Sequence, residues 1–386
     1  MPEFLPFDRP AIDEEEVAAV ADVLRSGWIT TASKAREFEQ RFAEYVGAKY
    51  ALAVNSGTAA LHLALLAAGI GAADEVITTP LTFCSTVHVI AQAGATPVLA
   101  DVHPDDYNLD PASVRAAITP RTRAVLPVHL GGTPCRMDEL LSIAQKHALL
   151  VIEDAAHAIG ARVAERMVGS IGHATAFSFY ATKNLTTGEG GMLTSDDEVL
   201  IEKARILSLH GMSRDAWKRY TADGSWQYDV VAPGFKYNLS DLLAVVGLVQ
   251  LGKLPRLLAR RAHIHRRYTE AFSAIPGIIP NPLPLPGSQA AHHLYILRLQ
   301  PDALSIDRER FIAELRERGI GASVHFVPIY HFTYYQGRYR WRPEDYPVTE
   351  AISGSIVSLP CYPRMRDEDV DRVIQAVSQI VEGAQR

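Results

Sequence analysis

The chain has 386 residues, 48% hydrophobic and 21% charged, which is the composition of a soluble globular protein and long enough for two domains of ordinary size. A formal net charge of −6 gives no general attraction to nucleic acid or to an anionic membrane, so an anionic ligand would need local donors. Cys84, Cys135 and Cys361 are odd in number, scattered and without CxxC spacing, which argues against a disulfide framework and a zinc site and fits a reducing compartment.

The N-terminus, MPEFLPFDRP, has proline and acidic residues where a signal peptide would carry a basic start and an apolar run, so a cytoplasmic location is expected. Phe38, Phe42 and Tyr45 recur at helical spacing and predict an amphipathic helix that packs on a neighbour. The apolar stretch 51–70 is interrupted by Asn55, Ser56, Gly57, Thr58 and His62, so it reads as a buried strand followed by a helix and not as a membrane span.

From there short apolar runs alternate with helical patterns: strands at 51–54, 75–79, 96–101, 123–128 and 149–154, each separated from the next by a helix. Strands buried on both faces imply a parallel sheet with ligands at the strands' carboxyl ends, an α/β fold class. The leucine-rich stretch 240–273 predicts one or two long helices, and the proline-rich segment 276–287 a connector. Beyond it come a strand (HLYILRL), a helix (DRERFIAELRERG), a strand (GASVHFV) and a last helix near 367–383. The expected organisation is a large domain over 1–250 and a small α/β domain over 251–386 that includes the linking helix.

Three segments carry candidate chemistry. Asn55-Ser56-Gly57-Thr58 joins a strand to a helix; it is either a phosphate cradle of free amides or simply an N-cap at Ser56 or Thr58. It lacks the GxxxxGK[ST] and GxGxxG patterns of nucleotide sites. Glu153-Asp154 ends an apolar strand, where a carboxylate either projects into a site or caps the following segment; His157 alone reads as a packing histidine. Lys183 follows a nearly uncharged run and precedes a Thr- and Gly-rich turn. A lysine in a dry pocket has a lowered pKa, and its neutral amine attacks aldehydes; the alternative is an exposed loop lysine. Ser178, five residues earlier, could give a hydroxyl to a phosphate. A phosphate cradle, an anion and a shielded amine are together what pyridoxal phosphate (PLP) requires.

The sequence resembles the DegT/DnrJ/EryC1/StrS family of PLP-dependent nucleotide-sugar aminotransferases, from FLPFDRPAI and SGWITT through NSGTAALHLAL, DEVITTPLTFCST, VIEDAAHAIGA and AFSFYATKNLTTGEGG to PGFKYNLSD, RGIGASVHF and SLPCYP. The resemblance implies the fold type I architecture, a large mainly parallel-sheet domain plus a small C-terminal α/β domain. It implies that Lys183 is the Schiff-base lysine and proton shuttle, Asp154 the partner of the pyridinium nitrogen, His157 that of the 3-hydroxyl, and Phe83 the ring-stacking aromatic. Gly57, Thr58 and Ser178 match phosphate donors, and Asn238 the residue that reaches the phosphate from a partner subunit. A homodimer with shared sites is thus implied, with 211–238 as the crossing region. Trp28, Thr30, His210, Arg214, Lys236, His325 and Tyr330 fall where substrate contacts or structural residues would stand.

Some relatives are dehydratases with histidine in place of the lysine; lysine here favours transamination, from an amino acid such as L-glutamate to a nucleotide-linked keto sugar. The likeness is nearest the branch that aminates C4 of UDP-linked 4-keto sugars, the UDP-4-amino-4-deoxy-L-arabinose aminotransferases. In the HFVPIYH run Tyr330 stands where many relatives have histidine, which either preserves a hydrogen bond or signals another sugar. A 3-keto-sugar or aminocyclitol aminotransferase shares these motifs, and a non-catalytic PLP- or sugar-binding regulator is the alternative of another class.

Overall fold

The computed structural model describes residues 3–213 and 228–386. Two amphipathic helices, α1 (Glu14–Ser26) and α2 (Ser33–Val46), lead into β1 (Tyr50–Val54). Helices and strands then alternate: α3 (Gly57–Ala67), β2 (Glu75–Thr78), α4 (Cys84–Gln92), β3 (Thr96–Leu99), α5 (Pro111–Ala117), β4 (Thr122–Leu126), α6 (Met137–His147) and β5 (Leu150–Asp154). A short hairpin, β6 (Arg162–Val163) and β7 (Arg166–Met167), precedes β8 (Ala174–Ser178), β9 (Gly191–Ser195) and α7 (Glu198–Ser208). After the long helix α8 (Asp241–Phe272) come β10 (Ile278–Ile279), β11 (Ser288–Gln289), β12 (Tyr295–Leu299), α9 (Arg308–Glu317), α10 (Thr333–Gln336), α11 (Pro347–Ser353), β13 (Ile356–Leu359) and α12 (Asp367–Ala384).

The main sheet has seven strands in the order β1-β9-β8-β5-β4-β2-β3. Strands β8, β5, β4, β2 and β3 run parallel, whereas β9 is antiparallel to both its neighbours. The sheet is therefore mainly parallel with one reversed strand. That reversal matters for the site, because it brings Gly191, the first residue of β9, level with Val54 and Ser178, the last residues of β1 and β8. The segment 173–191, conspicuous in the sequence for its lysine, thus holds one whole strand and starts another.

Helix α2 explains how β8 is held. Its Phe38 and Phe42 are fully buried and pack edge-on or tilted against Phe177 and Phe179, with ring centroids 5.0–5.5 Å apart. Each such ring contributes roughly 1.5–3 kcal/mol by burial alone. The amphipathic pattern at 38–45 is therefore the clamp on the strand that ends at Ser178.

The 240–273 stretch forms one helix despite Pro255 within it. Ala244 and Leu254 of α8 belong to the core beside the main sheet, and Ile264, Tyr268 and Phe272 to a second core built from β12, β13, α9 and α12. The division at 250/251 falls inside this single helix. Its length and apolarity would suit a membrane crossing. Yet Lys253 bonds Glu16 at 2.9 Å, and the buried Arg261 donates to the carbonyls of His293 and Cys361, as expected of a core helix that pairs its charges. GASVHFV, expected as a strand, makes only the single bridge Ser323–Ser358, because Val324 and Phe326 turn to pack against a separate apolar cluster.

Candidate active site

At the carboxyl ends of β2, β4, β5 and β8 lies a cavity of about 510 Å³. Gly57, Thr58, Phe83, Asp154, His157, Ser178 and Lys183, all singled out in the sequence, line it together with His325.

The cradle is built from close approaches. Ser56 caps α3, its hydroxyl accepting from the Ala59 amide at 3.0 Å, so the N-cap reading holds for Ser56 itself. Ala60 reaches the Ser56 carbonyl, which leaves the first-turn amides of Gly57 and Thr58 without a carbonyl in the helix. A Cβ on Gly57 would stand 2.9 Å from the Ser178 Cβ, and one on Gly191 about 2.5 Å from the Ser56 carbonyl. Only glycine at both places lets the positive end of α3 sit against β8 and β9.

Asp154 and Glu153 separate by strand alternation. Glu153 faces away, fully buried, and is satisfied by Gly172 N at 2.7 Å, Thr175 Oγ1 at 2.8 Å and His129 Nε2 at 2.9 Å. Asp154 faces the cavity and accepts from Thr86 Oγ1 at 2.8 Å and Ala156 N at 3.1 Å. Burial pushes its carboxyl above the ordinary range, with those two bonds and the Lys183 charge pulling the other way. A buried carboxylate with no ion partner in bonding contact among the described residues is a site prepared for a cation.

Lys183 sits in the β8–β9 connection, its amide bonded to the Tyr180 carbonyl at 2.9 Å. Burial lowers its ammonium to about 8, with Asp154 and then Asp8 opposing. His157 is buried, and the Gly131 amide donates to its Nδ1 at 3.3 Å, leaving Nε2 as the N–H of a neutral ring; burial holds it well below its usual range. Phe83 is 58% exposed on the cavity wall, 6.1 Å from the ring of Phe326.

Several residues that were not singled out in the sequence complete the site. Thr86 orients Asp154. Asn184, next to Lys183 in sequence, donates to the Ala291 carbonyl at 2.8 Å and bonds His293 Nδ1 at 3.0 Å, and His293 lies 4.4 Å from His157. Phe7, Asp8 and Phe326 close the opposite wall. All but His293 lie in segments that carry the family resemblance, and that membership, with the adjacency of Asn184 to Lys183, was the signal that could have found them.

The remaining candidates lie outside this cavity. Asn238 donates to Thr31 Oγ1 at 2.6 Å and accepts from Lys236 Nζ at 2.6 Å, beside Asn55, whose amide bonds the Tyr237 carbonyl. Trp28, Thr30, His210 and Lys236 are exposed. Tyr330 is buried against Tyr346, rings 5.1 Å apart, in a small aromatic core. Arg214 lies outside the described residues.

Free helix amides, a buried carboxylate, a neutral imidazole and a half-buried lysine fit the phosphate, ring nitrogen, hydroxyl and aldehyde of PLP, on a fold type I sheet. The fold and cavity thus define a PLP-dependent enzyme. The chain belongs to the DegT/DnrJ/EryC1/StrS aminotransferase family, whose pattern matches residues 10–378. It is 52% identical over 382 residues to the spore coat polysaccharide biosynthesis protein SpsC of Bacillus subtilis, covering 99% of this chain and 98% of that one. Among solved structures it is similar to Spr1654 of Streptococcus pneumoniae in its PLP form, with TM-score 0.92, 35% identity and coverage of 98% and 99%. It is also similar to PseC of Helicobacter pylori, an aminotransferase involved in the biosynthesis of pseudoaminic acid, with TM-score 0.92, 29% identity and coverage of 99% and 100%. The protein is a PLP-dependent sugar aminotransferase.

Proposed function

We propose that the protein moves an amino group from L-glutamate to C4 of a UDP-linked 4-keto sugar, with Lys183 as the covalent anchor of the cofactor and the carrier of the proton. The observation that carries this reading is an intact, shielded Lys183 in a chain that is similar along its whole length to SpsC and PseC, proteins of polysaccharide and pseudoaminic acid biosynthesis.

Bound PLP supplies an electron sink that lets an amine leave one carbon and join another. The chain's own residues do the rest. Asp154 balances the charge of the ring nitrogen, its geometry fixed by Thr86. His157 offers Nε2–H to the 3-hydroxyl, and Phe83 covers the ring face. The amides of Gly57 and Thr58 and the Ser178 hydroxyl hold the phosphate. Lys183, as an amine, accepts the proton from the amino carbon and returns it one atom away. His325, its Nδ1 held by Ser358 Oγ at 2.9 Å, faces the substrate from the opposite wall.

Asn238, Lys236, Thr30, His210 and Trp28 serve the site of a second copy. In support, they lie on an exposed face next to the cradle, with Ile29, Val230 and Val231 as further exposed apolar groups. Tyr330 supports the substrate wall from behind. Three free cysteines suit the cytoplasm.

Amino transfer is tested with glutamate against a panel of UDP-, dTDP- and GDP-keto sugars. Turnover with a UDP-4-keto sugar supports the reading; acceptance only of a free ketose or a cyclitol ends it. Mixing Lys183→Ala and Asn238→Ala chains tests the shared site: hybrid dimers should regain one working site in two, whereas residues acting in their own subunit give no recovery.

A further inference from the structure

The N-terminal segment places a charged side chain in the cavity. Leu5 is buried in the second core and exchanges backbone bonds of 2.8 Å with Gly319 and Gly321, and Phe7 stacks on His325 with rings 5.4 Å apart. This anchoring delivers Asp8 to the same cavity as Lys183. The Asp8 side chain is 8% exposed, and its Oδ2 lies 3.5 Å from Arg261 Nη2. Arg261 is itself fixed, because Nη1 is committed to the carbonyls of His293 and Cys361. A buried carboxylate held by one long ion contact is an incompletely compensated charge, and among the described residues Lys183 is a further cation that lines the same cavity and acts on its charge.

We propose that Asp8 is a positioning residue for the transamination: its carboxylate stabilises the ammonium that Lys183 becomes when it takes the substrate's proton. In that step a C–H bond breaks, its electron pair stays with the substrate, and the proton bonds to Nζ. Asp154 is the stronger partner of Lys183 in the cofactor-free site. Once Asp154 is paired with the ring nitrogen, its charge is shared, and Asp8 is left as the carboxylate that answers the ammonium. Glu189 also lines the cavity but is exposed to solvent.

The other ionisable groups facing the pair do not compete. Burial keeps His157, His293 and His325 below their ordinary range and Cys361 and Tyr362 above theirs, and Arg261 is a permanent cation. Burial raises Asp8 to about 6 and lowers Lys183 to about 8, so between these the carboxylate faces the ammonium.

The test is a pH titration of the cofactor's visible absorbance in the holoenzyme of Asp8→Asn, with Asp8→Glu as the charge-preserving control. The expected result is a midpoint lowered by about one pH unit in Asp8→Asn and restored at least in part in Asp8→Glu. Single-turnover reaction with the amino-acid donor should slow about tenfold, and KM for the sugar should change less than about threefold. An unmoved midpoint in Asp8→Asn overturns the proposal, whether the variant is destabilised, loses only sugar affinity or is unaffected. The inference rests on Lys183 as the cofactor's anchor; that reading fails separately, if Lys183→Ala keeps the visible band.

Discussion

The two walls of the cavity are made in different ways. On the sheet side, Gly57, Thr58, Asp154, His157, Ser178 and Lys183 each end a strand of one sheet or follow it by a few residues, and apolar clusters on the sheet's two faces hold those strands. On the opposite side, Phe7, Asp8, His293, His325 and Phe326 come from the N-terminal segment and from loops around the second core. Parallel strands deliver their carboxyl ends to one edge whatever follows them. The opposite wall exists only once the N-terminal segment has docked and α8 has joined the two cores. On the proposed reading the first wall serves a constant cofactor, and the second is where relatives with other sugars are expected to differ.

Substitutions test that contrast. Lys183→Ala should remove the visible cofactor band and lower activity more than about a thousandfold, with little change in Tm. Asp154→Asn should lower kcat about a hundredfold and weaken PLP binding, measured by dialysis and absorbance, because the ring nitrogen loses its counter-charge. Gly191→Ala, whose Cβ meets the Ser56 backbone, should cost about 1–3 kcal/mol of stability and about tenfold in cofactor affinity while sparing the sugar KM.

In cofactor-free protein, covalent uptake of PLP should rise about tenfold per pH unit up to about 8 and level off above. The sign follows from the amine being the reactive form: its fraction grows with pH until the lowered ammonium pKa is passed. Behind the other wall the smallest effect is expected at Tyr330→Phe. The hydroxyl lies toward Glu350 without a well-formed hydrogen bond among the described residues, Glu350 being paired with His331 Nε2 at 2.7 Å. Its loss should change stability by less than about 0.5 kcal/mol and leave the sugar KM within about threefold. A large KM change would move Tyr330 from the supporting aromatic core into the binding wall.

Much of the sheet-side wall was legible because its chemistry is local. A lysine after an apolar run, a carboxylate ending an apolar strand and small residues before a helix each state their surroundings within about ten residues of sequence. Thr86 was missed because a threonine in an α4 pattern is indistinguishable from packing until β5 is beside it. Asp8 was missed because an isolated acid in a proline-rich segment looks like solvated surface. Its burial depends on Arg261 and on Leu5 bridging Ile320, partners far away in the chain. GASVHFV read as a strand for the same reason: alternation fits either pairing or a turn into an apolar cluster, and tertiary contacts chose the latter.

The sequence by itself determined the α/β alternation and the amphipathic helix of Phe38 and Phe42, and it narrowed the turn before α3 and Lys183 to two readings each, since these follow from periodicity or from neighbours along the chain. Tertiary structure decided the reversed strand β9, which brings Gly191 onto the cradle, and the pairing of Asp8 with Arg261 in the cavity of Lys183. Those depend on which distant segments pack together, and pairwise burial and charge across two cores settle that only when the whole chain has folded.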